Sequence, residues 1–279
     1  MFLKLMYITN DPVVAHIAEE YGVDRIWVDL ERRGKAERQK NVDSVLSDHD
    51  PADVAVLSKV IKKAELMVRV EQWSENSAKE IDEVIGYGAQ RIMLPMWKSA
   101  EETNAFLDHV HGRTGTTLLL ETKEAVESLD EVIKNKYIDE IHIGLNDLHL
   151  SYGLDFMFEL LTNGVVESLC NRLKTTGIPY GFGGIARLGC GMVRSEKIIM
   201  EHYRLGSTRA ILSRSFCNTG IIKDAKEIEK IFAENMKSLR EFEDSVSEYP
   251  TERFLSNKRE LEYDISKIVE EKKKTTAER

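Results

Sequence analysis

Short apolar segments and segments of helical periodicity alternate along almost the whole chain. Eight apolar runs predict strands, at 3–9, 25–31, 65–70, 91–96, 116–121, 140–145, 180–185 and 209–215. Most of them lack strict apolar–polar alternation, which is typical of strands buried on both faces. Helical patterns lie between them, for example at 12–21, 52–63, 77–86, 100–111, 124–135 and 195–205. This alternation favours an α/β fold, a closed (β/α)8 TIM barrel, over an open doubly wound sheet, because no Gly-x-Gly-x-x-Gly follows the first strand.

Two connections and the C-terminal segment depart from this pattern. The connection 32–50 is polar and charged, and we interpret it either as a surface loop or as a lid. The connection 151–176 has apolar residues at helical spacing. After Pro250 the chain is rich in Lys and Glu, so we expect a catalytic barrel at 1–249 and a charged C-terminal helix or tail at 250–279. That helix is either solvated or docked on a neighbouring subunit.

Length, charge and cysteine usage restrict the class of protein. The 279 residues suffice for one barrel, which takes about 250. A net charge of −9 argues against binding nucleic acid through a broad basic surface. The apolar start is too short to span a membrane and lacks a cleavage site, so it predicts a first strand. Cys170, Cys190 and Cys217 have no metal or disulfide spacing, which favours a reducing cytoplasm.

Two carboxylates mark the ends of consecutive predicted strands. Glu121 closes the apolar run 117–120, and Asp147 closes the run 141–146. If the helix between them makes this a βαβ unit, the strands are parallel neighbours and both carboxylates lie at the same edge. Paired carboxylates suit a hard divalent cation. We therefore expect Glu121 and Asp147 to bind a metal ion.

Other polar residues end further predicted strands. In a barrel the C-terminal ends of all strands surround one mouth, where catalytic residues lie. The residues expected there are Asn10, Asp11, Asp29, Glu31, Arg69, Met96, Glu121, Asn146, Asp147, Gly183, Gly184, Ser213 and Arg214. A buried charge is unfavourable unless it is paired or bound to a ligand. Any one of them is explained by a structural ion pair, but together they favour a functional site.

Several of these strand ends lie in segments that resemble a known family. The segments are YGVDRIWVDLE at 21–31, MVRV at 67–70, GAQRIMLPM at 88–96, LET at 120–122 and IGLNDL at 143–148. In order and spacing they resemble the HpcH/HpaI aldolase and citrate lyase β-subunit family, over about residues 7–216. The resemblance implies a (β/α)8 barrel that binds phosphoenolpyruvate or pyruvate-like molecules. It also implies chemistry at carbon–carbon bonds, usually with Mg²⁺ or Mn²⁺.

The resemblance implies roles for five charged residues. Glu121 and Asp147 match the two metal-binding carboxylates, and Arg69 matches the arginine that contacts the oxo-acid oxygen. Asp29 matches an acidic residue near the metal-bound water, and Glu31 fits the acidic pattern of the coenzyme A-dependent branch. We expect Arg69, Asp29 and Glu31 to be catalytic. A divalent cation and an arginine fork both stabilise the negative charge of an enolate.

Two further segments are expected to bind substrate. By resemblance, Gly144, Leu145 and Asn146 lie where backbone N–H groups hold the substrate carboxylate. The glycine-rich stretch 181–191 includes Gly183 and Gly184 and follows the seventh strand, where barrels often build a phosphate site. Its exposed N–H groups suit an anionic tail. The alternative is a tight turn that needs glycine for its backbone angles.

One position departs from the family pattern. Many pyruvate aldolases of the family have a proton-transferring histidine three residues after the acid of strand 2, and here that residue is Arg32. Arginine stays protonated and is a poor base. A metal-bound hydroxide or His149 could replace the histidine, or Arg32 could bind an anionic group of a larger substrate. We include Arg32 among the expected substrate-binding residues.

These observations predict a carbon–carbon lyase or aldolase that uses Mg²⁺ or Mn²⁺ and acts on a 2-oxo acid. The charged connection and the glycine-rich stretch suggest a larger anionic or sugar-acid partner. The alternatives are a lyase for acyl-CoA thioesters of the citramalyl- or malyl-CoA type, and a barrel that binds a ligand without catalysis. We expect a small-molecule substrate, no nucleic-acid or membrane partner, and a homo-oligomer, because oligomers are common in the family.

Overall fold

Nine parallel strands form the centre of the structure, a computed structural model that describes residues 2–32 and 48–277. They are β1 (Lys4–Ile8), β2 (Arg25–Asp29), β3 (Glu65–Arg69), β4 (Arg91–Leu94), β5 (Gly115–Leu120), β6 (Ile141–Ile143), β7 (Tyr180–Phe182), β8 (Gly184–Ile185) and β9 (Arg209–Leu212). Their order is β7-β6-β5-β4-β3-β2-β1-β9-β8. Each predicted strand segment contains at least one of them. Most of the connection interpreted as a loop or lid, 33–47, lies outside the described residues.

β7 and β8 together fill one strand position and bring the barrel close to closure. β7 pairs with β6, and β8 pairs with β9. Gly183 separates them, with a φ of 51° that favours glycine. A Cβ on Gly183 would also lie 2.6 Å from Leu145 Cδ1. The backbone N–H of Thr208 donates to the carbonyl of Tyr180 at 2.9 Å, so the predicted (β/α)8 barrel is confirmed and the open sheet is excluded.

Helices flank the strands. In the described residues they are α1 (Pro12–Glu20), α2 (Pro51–Val60), α3 (Ser77–Gly86), α4 (Ala100–Val110), α5 (Lys123–Val132), α6 (Leu145–Ser151), α7 (Glu159–Thr162), α8 (Val165–Lys174), α9 (Ser195–Leu205), α10 (Ala225–Ser247) and α11 (Thr251–Ala277). Asp11 and Asp50 cap α1 and α2, and each is followed by a proline at the first helical position. The sixth strand was predicted too long: it ends at Ile143, and Leu145 begins α6.

The barrel interior is built in layers by alternate residues of each strand. The layer at the N-terminal ends is ionic: Arg25 Nη1 lies 2.6 Å from Glu140, Arg25 also pairs with Glu65, and Arg209 pairs with Glu140. The middle layer is apolar and consists of Met6, Trp27, Met67, Met93 and Leu119. Two residues further along their strands, the interior positions belong to Asp29, Arg69 and Glu121. The mouth residues therefore follow from the two-residue period of strands.

The C-terminal helix α11 packs on α9 and α7. Leu261, Ile265 and Val269 are buried on one face of it, while Leu255 and Tyr263 are exposed. Lys272 Nζ donates to the carbonyl of Asp155, in the segment before α7, at 3.1 Å. One face of α11 is therefore part of the core. Within residues 2–32 and 48–277, every helix is too short or too polar to cross a membrane.

Candidate active site

Asp29, Glu31 and Arg69 form a buried ion cluster at the mouth. Arg69 Nε and Nη2 donate to the two carboxylate oxygens of Asp29 at 2.8 and 2.9 Å, and Arg69 Nη1 lies 3.2 Å from Glu31. The guanidinium also lies over the Trp27 ring, 5.0 Å from its centroid. Burial alone would lower the pKa of Arg69, but Asp29 and Glu31 raise it above its ordinary value. The arginine is thus a fixed cation with a defined orientation.

Glu121 and Asp147 meet beside this cluster. Glu121 follows β5, and Asp147 lies in the first turn of α6. Burial raises the pKa of Glu121 well above its ordinary value, and the charges of Asp147 and Glu31 raise it further, against the opposing effect of Arg69. The Met96 backbone N–H donates to Glu121 Oε1 at 3.1 Å. The pair is therefore a buried, mutually repelling site for negative charge.

Gly144 makes this arrangement sterically possible. A Cβ at Gly144 would lie 2.7 Å from Glu121 Oε2 and 2.9 Å from Glu121 Cβ. No side chain fits between the turn before α6 and the Glu121 carboxylate. The glycine thus allows the backbone that carries Leu145, Asn146 and Asp147 to approach Glu121 closely.

The mouth carries oxygen donors of the chemical type that divalent cations prefer. Asp29, Glu31, Glu121 and Asp147 supply four carboxylates, all at most 8% exposed, and Arg69 is the buried cation beside them among the described residues of the mouth. Formally the group carries a net charge of −3, and its donors are the oxygen atoms that Mg²⁺ and Mn²⁺ prefer. The raised pKa of Glu121, caused by burial and by the neighbouring Asp147 and Glu31, is compatible with a carboxylate that binds a cation.

A second acidic group lies far from the mouth, on α1. His16, Glu19 and Glu20 have ligand atoms within 4.8 Å of one another. Glu19 Oε2, however, accepts the backbone N–H groups of Lys62 and Lys63 at 2.8 Å each. Through these hydrogen bonds the buried Glu19 carboxylate fixes the backbone of the segment before β3. This structural role accounts for its burial.

The other predicted site residues are distributed around the mouth. Gly183 and Gly184 lie at the junction of β7 and β8, and Leu145 and Asn146 begin α6. Arg32 is more than half exposed, and its Nη2 donates to the carbonyl of His49 at 2.7 Å and lies 3.3 Å from Asp48 Oδ1. His149 Nδ1 lies 3.2 Å from the carbonyl of Leu145, one turn earlier in the same helix. That contact favours a structural role for His149.

Sequence reasoning missed His49. The Asp29 backbone N–H donates to His49 Nδ1 at 2.9 Å, and the imidazole is buried. His49 directly precedes Asp50, the N-cap residue of α2. The only signal in the sequence is this position before a strong helix start, which says nothing about the strand that the ring contacts.

Two cavities lie near the C-terminal ends of β1, β8 and β9, and among the described residues neither is lined by the four buried carboxylates of the mouth. The larger, about 670 Å³, lies between the glycine-rich stretch and the end of β9, and we call it the glycine-loop cavity. The smaller, about 580 Å³, lies above β1 and β9, and we call it the β1 cavity. They share Ser213, Arg214 and Asn218 in their walls. Among the described residues that line the glycine-loop cavity, Arg187 and Arg214 are basic and none is acidic.

The fold and the mouth together define a (β/α)8-barrel protein with an acidic site at the C-terminal ends of its strands. The family model of the HpcH/HpaI aldolase/citrate lyase family matches residues 4–157. The chain belongs to this family of carbon–carbon lyases, and the resemblance inferred from the sequence is confirmed.

Solved structures of the family share the fold. An HpcH/HpaI aldolase/citrate lyase family protein from Burkholderia cenocepacia J2315 has a TM-score of 0.61 at 12% identity, over 81% of this chain and 95% of that chain. The HpcH/HpaI aldolase from Desulfitobacterium hafniense DCB-2 has a TM-score of 0.60 at 16% identity, over 82% and 93%. Citrate synthase SbnG has a TM-score of 0.57 at 16% identity, over 87% and 95%. A search of curated proteins gave no match.

Proposed function

We propose that the protein is a divalent-metal-dependent lyase or aldolase that cleaves or forms a carbon–carbon bond next to the carbonyl of a 2-oxo acid. The observation that carries the proposal is the buried carboxylate pair Glu121 and Asp147 beside the Asp29–Arg69 ion pair. Burial and the neighbouring charge of Asp147 raise the pKa of Glu121, whereas Arg25 and Arg209 lower the pKa of Glu140 at the other end of the barrel. This contrast supports a site for a cation and its ligand.

Glu121 and Asp147 would hold the cation, with Mg²⁺ or Mn²⁺ as the candidates. When bound, the cation supplies Lewis-acid stabilisation of the oxygen that becomes negative in an enolate. Arg69 is proposed to act on the same oxygen. A guanidinium has five N–H donors, more than its contacts with Asp29 and Glu31 occupy.

In the cleavage direction, a base removes the proton from the 4-hydroxyl group of a 4-hydroxy-2-oxo acid. The bond between C3 and C4 breaks, the aldehyde leaves, and the electron pair remains as the pyruvate enolate. Arg69 stabilises the enolate oxygen, and a proton returned to C3 completes pyruvate. The backbone of Gly144, Leu145 and Asn146 is proposed to hold the carboxylate of the oxo acid.

The glycine-loop cavity supports an anionic partner for the second half of the substrate. The chain has 48 acidic and 39 basic residues, yet the described walls of this cavity carry two arginines and no carboxylate. Phe158, Met192 and Phe216 contribute apolar surface. This wall fits a chain with a terminal carboxylate or phosphate better than a polyhydroxylated sugar acid.

The test is pyruvate formation from a panel of 4-hydroxy-2-oxo acids, with Mg²⁺, Mn²⁺ or EDTA, followed by coupling to lactate dehydrogenase. We expect metal-dependent pyruvate release that Glu121→Gln abolishes. In the condensation direction, 4-oxobutanoate and butanal form a matched pair of anionic and neutral aldehydes. Arg187→Met and Arg214→Met should raise the KM for 4-oxobutanoate and leave butanal unchanged.

Two results would redirect the proposal. Release of acetyl-CoA from malyl-CoA, together with no pyruvate from any 4-hydroxy-2-oxo acid of the panel, would favour a lyase for acyl-CoA thioesters. Pyruvate and metal binding without turnover of any substrate would favour a non-catalytic barrel.

A further inference from the structure

His49 contacts the mouth at Asp29, the residue that orients Arg69. The Asp29 backbone N–H donates to His49 Nδ1 at 2.9 Å, while the Asp29 carboxylate accepts two hydrogen bonds from Arg69. A backbone N–H is always the donor, so Nδ1 must be unprotonated. His49 is therefore neutral in this arrangement, with its proton on Nε2.

Arg32 holds His49 from the other side. Arg32 Nη2 donates to the His49 carbonyl at 2.7 Å. The next residue, Asp50, is fixed by a capping box with Asp53, and Asp53 Oδ2 also accepts the side-chain amide of Asn10 at 2.8 Å. The backbone on both sides of the imidazole is thus tied to the barrel.

We propose that neutral His49 is a positioning residue for Asp29, and that Arg32 keeps His49 in place. The importance of this role for turnover rests on the proposed function. Arg32, which stands where many family members have a histidine, then does not transfer a proton itself. It anchors His49, in the segment before α2, against Asp29 of β2. His49 fixes the backbone of Asp29, and Asp29 fixes the guanidinium of Arg69. Arg69 in turn contacts the oxo-acid oxygen of the substrate.

Protonation of His49 would break this chain of contacts. With a proton on Nδ1, two N–H donors would face each other, and the bond to Asp29 would be lost. Among the described residues, Arg32 and Asp48 contact each other beside the His49 backbone, Asp29 contacts the ring from β2, and Asp11, Arg214 and Lys223 line the β1 cavity together with His49.

The first experiment needs no substrate. Hydrogen–deuterium exchange of the Asp29 amide is measured in the full chain, as protection relative to an unstructured peptide at each pH. The variants are His49→Asn, which keeps an acceptor near the place of Nδ1 and cannot titrate, and His49→Leu, which removes the acceptor. His109→Asn is the control, because His109 lies on α4 and contacts Asp82 on the outer surface.

We expect protection at about pH 8 in wild type, His49→Asn and His109→Asn, and its loss in His49→Leu. Equal protection in wild type and folded His49→Leu would overturn the proposal.

The second experiment measures the catalytic consequence by exchange of the pyruvate methyl protons with D₂O in the presence of Mg²⁺. His49→Leu should lower kcat by about 10²-fold with little change in KM, as expected for a misplaced catalytic group. His49→Asn should keep kcat within a few-fold of wild type. If His49→Asn lost as much kcat as His49→Leu, Nε2 rather than Nδ1 would be the important atom and the positioning role would be refuted. Absence of exchange in wild type would count against the proposed function, while amide exchange would still decide the role of His49.

Discussion

The substitution Glu121→Gln should distinguish a metal-binding role of Glu121 from a structural role. The buried group Asp29, Glu31, Glu121, Asp147 and Arg69 has a formal charge of −3, and a divalent cation reduces it to −1. Glutamine removes one negative charge and keeps an oxygen for the Met96 N–H. We therefore expect the metal-free variant to be at least as stable as metal-free wild type at neutral pH.

The metal-induced shift in Tm supplies the magnitude. At a concentration of 100 times Kd, a ligand stabilises the folded state by about 2.7 kcal/mol. For a chain of this size that is roughly 5 °C in Tm. If loss of a charged ligand raises Kd about 100-fold, the same concentration gives only about 0.4 kcal/mol, or under roughly 1 °C. The assay is thermal unfolding in EDTA and in titrated Mg²⁺ or Mn²⁺.

Glu140→Gln is the matched control, at the opposite end of the same barrel. Burial would raise the pKa of Glu140, but Arg25 and Arg209 lower it. Removing this paired charge should cost about 3–5 kcal/mol and leave the metal-induced shift unchanged. Equal shifts in wild type and Glu121→Gln, or a Glu121→Gln protein that is less stable than wild type in EDTA, would refute the reasoning.

The pH dependence of the two variants should also have opposite signs. The folded pKa of Glu121 is raised, so metal-free wild type becomes more stable as pH falls from that value towards the ordinary value near 4.5. The difference in stability between metal-free wild type and the Glu121→Gln variant should therefore shrink over that pH range. The folded pKa of Glu140 is lowered, so its stabilisation is present above the ordinary value of 4.5 and is lost as pH falls through the folded pKa.

Three further predictions test the mouth and the C-terminal helix. Gly144→Ala should destabilise by about 1–3 kcal/mol through overlap with Glu121 and weaken Mn²⁺ binding in titration calorimetry; unchanged affinity would contradict the close approach. Arg69→Lys keeps the charge but not the fork on Asp29, so steady-state kcat should fall about 10²–10³-fold while the metal-induced Tm shift persists; full activity would show that the fork is dispensable. Deletion of 250–279 should lower Tm markedly, because it exposes apolar surface on α9 and α7; size-exclusion chromatography of the deleted and full chains then tests whether this helix also mediates assembly, and an unchanged Tm would show an independent tail.

Sequence periodicity was sufficient to predict the barrel and much of its mouth. Asp29, Arg69 and Glu121 end runs that are apolar on both faces, and in a parallel barrel such ends converge wherever the helices pack. The ends of consecutive strands also predicted the pairing of Glu121 with Asp147, and the resemblance to the family added the roles expected of these residues. Neither the convergence of the strand ends nor the pairing of Glu121 with Asp147 required knowledge of distances, because strand order alone brings these residues together.

The contacts of Arg32 and His49 were beyond sequence reasoning. Arg32 lies three residues after Asp29, yet its guanidinium contacts the segment that precedes α2. Helix α6 was missed for a related reason: the apolar run 141–145 continues the strand pattern, and only the turn at Gly144, required by Glu121, ends it. Both outcomes depend on tertiary approach, which local propensity does not encode.

The layered interior limits how this chain can change in length. β2 carries Arg25, Trp27 and Asp29 at two-residue intervals, so one strand contributes to the ionic base, the apolar filling and the mouth. Insertion or deletion of a single residue within β2 would exchange its inner and outer faces and disrupt all three layers at once. Changes in length should accordingly be tolerated in the connections between elements and excluded from the strands, whereas base and mouth can vary independently by substitution.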